Sequence, residues 1–266
     1  MQVGVIGNGF VGNAIYQNFK DKALAKVYDV KIQKSLNSVE EVLESNIVFI
    51  CLPTPMKSDG QCDLSYVTDF FKNISLANGY NPLFVIKSTV PIGTTDKLCE
   101  LRKDLRIVHN PEFLTAVNAV EDFKNSDRNI IGGKQEWCLE LRDFFIKHFP
   151  NTPIQIVKSK ESETIKYFCN SFLASKVAFF NNLFEICQKF NMNFDSVKDG
   201  VCSDKRIGNS HTKVPGPDGQ MGFGGYCFPK DINALINTLN DNNIDSRLFS
   251  TVWEYNKNIR EEYKNK

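Results

Sequence analysis

The sequence contains no apolar run approaching the roughly 18 residues of a membrane span, which argues against a membrane-spanning helix. It contains no Cys-x-x-Cys, so a structural zinc site of the usual spacing is not expected. Its three histidines, His109, His148 and His211, have no metal-ligand spacing, and each reads as a local hydrogen-bonding or surface residue; no metal is expected. It has almost no excess of charge. Thirty-two Lys and Arg face 31 Asp and Glu, a net charge of +1, which excludes a chain-wide footprint for nucleic acid or an anionic membrane. The basic start, apolar core and cleavage site of a secretory signal are also missing, because a strand-like segment begins at Gln2. The expected location is the cytoplasm. The eight cysteines, at 51, 62, 99, 138, 169, 187, 202 and 227, are widely spaced and read mostly as small buried hydrophobes.

What is present is enough for a core. The chain has 266 residues, of which 42% are hydrophobic and 24% charged, a balance that suits one large or two moderate globular domains. Strand-like segments at Val3–Ile6, 25–30, 46–52, 83–87, 106–109, 129–132 and 154–157 alternate with helical patterns at 64–75, 94–102 and 137–148. The run 46–52, Asn-Ile-Val-Phe-Ile-Cys-Leu, is continuously apolar, as a parallel strand covered on both faces should be. The alternation predicts a Rossmann-type doubly wound α/β domain over residues 1–158. From 159 to 266 the pattern becomes mainly helical. One long helical pattern spans 162–190, further helices cover 195–201, 231–240 and 246–262, the last read as a long connecting helix, and a Gly/Pro-rich loop covers 208–226.

Gly7-Asn8-Gly9-Phe10-Val11-Gly12 lies between the first strand and the first helix, and Asp29 ends the second strand 22 residues after Gly7. In that context the three glycines permit a tight turn, close approach of a pyrophosphate and close helix–strand packing. Asp29 suits a ribose 2′-hydroxyl and repels a 2′-phosphate, so the expected cofactor is NAD.

Six blocks then resemble the UDP-glucose/GDP-mannose dehydrogenase family. They are residues 7–12, Leu52-Pro53-Thr54-Pro55, residues 87–95 (Lys-Ser-Thr-Val-Pro-Ile-Gly-Thr-Thr), Asn110-Pro111-Glu112-Phe113-Leu114, residues 166–182, and residues 222–231 (Gly-Phe-Gly-Gly-Tyr-Cys-Phe-Pro-Lys-Asp). The resemblance implies oxidation of C6 of a nucleotide-linked hexose to a carboxylate with two NAD, UDP-glucose being the foremost substrate. It implies that Cys227 is a nucleophile passing through a thiohemiacetal and a thioester. A start of helix favours a thiolate, and Lys230 is expected to add positive potential. Lys166 and Asn170, four apart on one helical face, are implied to face C6, with Lys166 stabilising charge on its oxygen and Asn170 holding it. Glu112 is implied as acid/base and Asp231 as support for a water; Asp231 also reads as a helix cap. Thr89 is implied to contact cofactor or that water, and also reads as a strand-end turn. Pro53, Thr54 and Ser88 join the cofactor side. Phe113, Leu114, Phe223 and Gly224 join the substrate side. Arg206 resembles a family arginine that reaches substrate across a dimer interface, and also reads as a surface arginine.

Three departures stand out. Only about 16 residues separate Asp29 from Asn46, so a helix and an edge strand are expected to be missing. Ala116 stands where the family has a second glutamate. The sequence stops within the helix 246–262, so the family's C-terminal nucleotide-sugar domain is expected to be absent. Leu248, Val252 and Trp253 on that last helix suggest a homodimer. The alternatives are a GDP-mannose or UDP-N-acetylhexosamine dehydrogenase, a two-electron β-hydroxyacid dehydrogenase that does not need Cys227, and a truncated chain that binds NAD without turnover.

Overall fold

Seven short strands form one sheet in the computed structural model, which describes residues 1–22, 25–115 and 118–263. They are β1 (Val3–Ile6), β2 (Ala25–Tyr28), β3 (Ile47–Ile50), β4 (Leu83–Ile86), β5 (Arg106–His109), β6 (Asn129–Gly132) and β7 (Ile154–Val157), in the order β2-β1-β3-β4-β5-β6-β7. Neighbours from β2 through β5 are parallel, as the alternation predicts. β6 meets β5 antiparallel through the single pair His109↔Gly132, and β7 runs parallel to β6.

Side chains of a strand alternate between faces, and here both faces are covered. Ile47, Phe49, Leu83, Val85 and Val108 enter one core cluster, while Val48, Ile50, Phe84, Ile86 and Ile107 enter the other. That double burial explains the unbroken apolar run at 46–52. The first cluster is closed by α1 (Phe10–Phe19), α5 (Ala119–Lys124) and α6 (Gln135–His148), and the second by α2 (Val39–Leu43), α3 (Ser65–Asn73) and α4 (Thr94–Leu101). Among the described residues, a 3₁₀ turn at Ile32–Lys34 and α2 are the only helical elements between β2 and β3, so β2 is the sheet edge. α2 starts with a capping box, in which the Ser38 side chain accepts from the Glu41 amide and the Glu41 side chain from the Ser38 amide.

The chain divides into two compact units, Met1–Pro55 with Cys62–Lys166, and Met56–Gln61 with Tyr167–Lys266. The division falls inside α7 (Ser159–Lys189), a 31-residue helix. The second unit continues with α8 (Phe194–Cys202), α9 (Cys227–Asp241) and α10 (Arg247–Ile259). One of its clusters packs Ala174, Ala178, Phe223 and Ile232 against Val252 and Trp253. Of the apolar residues noted on the last helix, Val252 and Trp253 are half-buried against this cluster and Leu248 is 69% exposed. The larger exposed apolar row runs along α7, where Phe172, Phe179 and Ile186 recur every seven residues.

Phe19 is fully buried, with the rings of Phe49, Phe123, Phe144 and Phe149 at centroid distances of 5.0–6.3 Å. Replacing it with Ala should lower unfolding free energy by about 3–5 kcal/mol in a denaturant titration; a loss under 1 kcal/mol would show that this aromatic cluster does not hold the unit.

Candidate active site

The glycine turn has the geometry its sequence predicts. Gly7 lies at φ +91°, and a Cβ there would press on the Cys51 carbonyl. A Cβ on Gly12 would overlap the Gly7 carbonyl oxygen, whereas one on Gly9 would meet open space. α1 begins at Phe10 with no side-chain cap, which leaves first-turn amides for an anion. Asp29 accepts from the Asn8 amide at 2.7 Å and the Lys31 amide at 2.8 Å. Both oxygens keep further acceptor capacity, which suits ribose hydroxyls. The Asn8 side chain is fixed by donation to the Lys34 carbonyl at 2.7 Å, and its Oδ1 is buried with no partner among the described residues. These features fit a dinucleotide.

The loops after β3 and β4 are laced together. Thr54 Oγ1 donates to the Thr89 carbonyl at 2.9 Å and Ser88 Oγ to the Leu52 carbonyl at 2.6 Å. The side chains of Thr54 and Ser88 thus brace the loops, while Thr89 is buried and Pro53 exposed.

Glu112 and Lys166 form a buried pair. Lys166 Nζ lies 3.1 Å from Glu112 Oε1, and the Leu114 amide donates to Oε2 at 2.7 Å. Phe113 presents its ring to Lys166 Nζ at 5.3 Å and to the Arg128 guanidinium at 4.8 Å. Beneath them Lys87, 3% exposed, donates to Asn110 Oδ1 at 2.8 Å. Asn110 in turn donates to the Ile130 carbonyl at 2.7 Å, so the chain leading into Glu112 is held at two points. Burial pulls the Lys87 ammonium down to about 8 and pushes the Cys51 thiol up to about 12.

α7 is tied to this region by residues that were not singled out from the sequence. Glu163, fully buried, accepts from the Gly93 amide at 2.5 Å and from the Thr95 amide and hydroxyl, each at 2.7 Å. It thereby caps α4, whose own N-cap residue, Gly93, has no side chain to do so. Burial raises its pKa. The Ser162 hydroxyl bonds His109 Nδ1, and a Cβ on Gly132 would strike Ser162. His109 is therefore fully buried rather than a surface residue. The available signal was the spacing: Glu163 precedes Lys166 by one helical turn.

In the second unit, Cys227 is the first residue of α9 and is partly exposed. Asp231, one turn on and 1% exposed, accepts from Asn170 Nδ2 at 2.5 Å and pairs with Lys230. Asp231 thus does not cap its helix. Lys230, expected to add positive potential, pairs with Asp231. Phe223 is buried, and Gly224 is glycine because a Cβ would overlap the Arg260 guanidinium. Arg206 forks onto Asp204 at 2.6–3.1 Å with its side chain 90% exposed. Ala116 lies outside the described residues.

Residues 13–149 match the UDP-glucose/GDP-mannose dehydrogenase family, NAD binding domain, and residues 160–258 match the central domain of the same family. The chain belongs to the UDP-glucose/GDP-mannose dehydrogenase family. Its cofactor is NAD. A UDP-glucose 6-dehydrogenase of Rickettsia bellii is 36% identical over 256 residues, covering 89% of this chain and 58% of that protein. One from Bacillus subtilis is 35% identical over 222 residues, covering 81% and 49%. The structure of a UDP-glucose dehydrogenase from Pyrobaculum islandicum superposes with a TM-score of 0.87 at 28% identity, covering 96% of this chain and 68% of that one. The chain thus spans about half the length of the curated relatives it matches.

Within this family member, His109 offers a pH test. Burial first, and then the Lys87 charge, hold its imidazole down at about 3 instead of the ordinary 6.5. Between those values the unfolded chain binds a proton that the folded chain refuses. The stability this group contributes is therefore intact above pH 6.5 and is lost as pH falls, by roughly 1.4 kcal/mol per unit. Urea titrations from pH 7 to 4 should show a steeper decline for the unsubstituted protein than for His109→Gln; parallel curves would rule out a neutral buried imidazole.

Proposed function

We propose that the chain carries the NAD-dependent machinery that oxidises the C6 hydroxyl of a nucleotide-linked hexose, UDP-glucose foremost, to a carboxylate. The observation that carries this reading is Cys227 at the first position of α9, one turn before a buried Asp231 held by Asn170 and Lys230. A helix start favours an anion, and its first-turn amides lack intrahelical partners.

The turn 7–12 and Asp29 would hold the dinucleotide, with the loops at Pro53-Thr54 and Ser88-Thr89 beside it. The exposed Val30, Ile32 and Leu36 supply apolar wall around a depression of about 370 Å³ that includes Asp29. NAD, when bound, accepts the hydride that leaves C6, one molecule for each of two oxidations. The chain's residues do the rest. In the first oxidation the hydroxyl proton passes to a base as C6 becomes an aldehyde. The Cys227 sulfur then adds to C6, while Lys166 and Asn170 hold the C6 oxygen as negative charge grows on it. This thiohemiacetal keeps the aldehyde from escaping. Loss of the second hydride and of the hydroxyl proton leaves a thioester. Glu112, as base, takes a proton from water, which attacks the acyl carbon, and the C–S bond breaks to release the carboxylate and restore the thiol. Asp231 orients that water. The balance is two NAD reduced and one water consumed per sugar.

Supplied with UDP-glucose, the protein should yield two NADH per sugar and the acid by mass spectrometry. Cys227→Ser should stop at one NADH with aldehyde accumulating. One NADH per sugar from the unsubstituted protein would overturn the thioester route, and full activity in Cys227→Ala would favour a two-electron β-hydroxyacid dehydrogenase.

The same reading includes a homodimer, with the contact on α7. Phe172, Phe179 and Ile186 are 67%, 63% and 42% exposed, and Phe168 and Phe190 extend the row by four residues at each end. Aromatic side chains in such a row are costly to leave in water. Light scattering should report a dimer that Phe172→Glu with Phe179→Glu converts to monomer; a monomeric unsubstituted protein would refute it.

A further inference from the structure

The segment 222–226 leads into Cys227 without belonging to any helix or strand, yet its first peptide groups are buried. Backbone donors and acceptors withdrawn from water need partners. Here two asparagine side chains provide them. Asn256 on α10 is fully buried; its Oδ1 accepts from the Phe223 amide at 2.7 Å and its Nδ2 donates to the Phe223 carbonyl at 3.0 Å. One carboxamide thus engages both main-chain groups of one residue, as a neighbouring strand would. Asn181 on α7, 1% exposed, accepts from the Gly222 amide at 2.9 Å. Its own orientation is set by donation to the Val177 carbonyl at 2.8 Å.

The glycines agree with this arrangement. Gly222 lies at φ +71°, and a Cβ there would strike Asn256 Oδ1 and Ile259. A Cβ on Gly224 would overlap Arg260, which is itself paired with Asp218 at 2.6 Å. Two of the loop's glycines are therefore required by the helix behind the loop. Gly225, at φ +73°, would meet open space instead. Asn181 also follows Asn170 by 11 residues, about three turns, so both project from one face of α7. Asn181 holds the segment before Cys227, and Asn170 holds Asp231 after it.

We infer that Asn181 and Asn256 are positioning residues, a pair of buried carboxamides that template the Gly222–Phe223 peptide groups and so set where the Cys227 thiol stands at the start of α9. The role assigned to that thiol rests on the dehydrogenase reading, but the placement can be tested without substrate.

The test is the alkylation rate of Cys227 by iodoacetamide, mapped by mass spectrometry with partly exposed Cys62 as internal reference. Asn256→Asp keeps the acceptor for the Phe223 amide but puts an oxygen opposite the Phe223 carbonyl. It should slow Cys227 at least fivefold at pH 8 and leave Cys62 unchanged. The ratio to the unsubstituted protein should return towards one at pH 5.5, where a protonated carboxyl can donate again. Should Asn256→Asp fail to fold by its thermal melt, Asn181→Ser, which removes the Gly222 contact without adding charge, should show the same selective slowing. Unchanged Cys227 reactivity in a folded variant would overturn the inference, as would loss of fold in both variants, which would assign the amides to folding alone. Failure here leaves the NADH stoichiometry untouched, and a failed stoichiometry leaves the alkylation result standing.

Discussion

The first turns of α7 depend on a carboxylate that is buried to serve another helix. Glu163 satisfies the Gly93 and Thr95 amides that start α4, and takes the Thr95 hydroxyl as well. Removing it would orphan buried donors at about 1–3 kcal/mol each, so the contact specifies position strongly. It ties the first turns of α7 to the 87–95 loop. Lys166, one turn later, is then carried to Glu112. A buried ion pair often gains little net stability, because desolvation offsets the attraction. Its value here is specification: with Glu163 and Ser162 already anchored, the Lys166 ammonium has one place to stand.

The same device recurs in the second unit with uncharged groups. Asn170, Asn181 and Asn256 are polar side chains taken out of water and spent on fixed partners. Each partner lies within nine residues of Cys227. The segment that leads into Cys227 needs its position set by neighbours, since a loop backbone has no ladder of its own. Helices of the second unit supply what a sheet edge would otherwise supply.

Much of the frame was legible in the sequence because apolar periodicity reports it directly. A strand covered on both faces reads as 46–52 does, and Gly7 reports the turn through a φ that only glycine tolerates well. Strand direction was not legible: four residues at 129–132 look the same whether parallel or antiparallel, and only the His109↔Gly132 pairing shows the reversal. The apolar face of α10 was visible, but its partner was not. Val252 and Trp253 pack, half-buried, against a cluster that includes Phe223, brought from a loop about 30 residues earlier.

Buried polar partners were the least legible class, for a physical reason. A Glu, His or Asn at a helical or strand-end position has the same local energetics whether it faces water or a distant amide; the difference lies entirely in tertiary contact. Lys166, Asn170 and Asp231 were found because they sit in recognisable blocks, and their true partners emerged only with the fold. Lys230, adjacent to Asp231 and three residues from Cys227, reads in the sequence as a source of positive potential for the thiol, and the fold adds that its ammonium pairs with Asp231. The start of α9, whose N-cap residue Tyr226 supplies no side-chain cap, favours an anion at Cys227. The orientation of those amides follows from the segment that Asn181 and Asn256 hold. On the placement inferred above, the hydrogen bonds of Asn181 and Asn256, made several residues before Cys227, bear on how that helix start is presented to the sulfur.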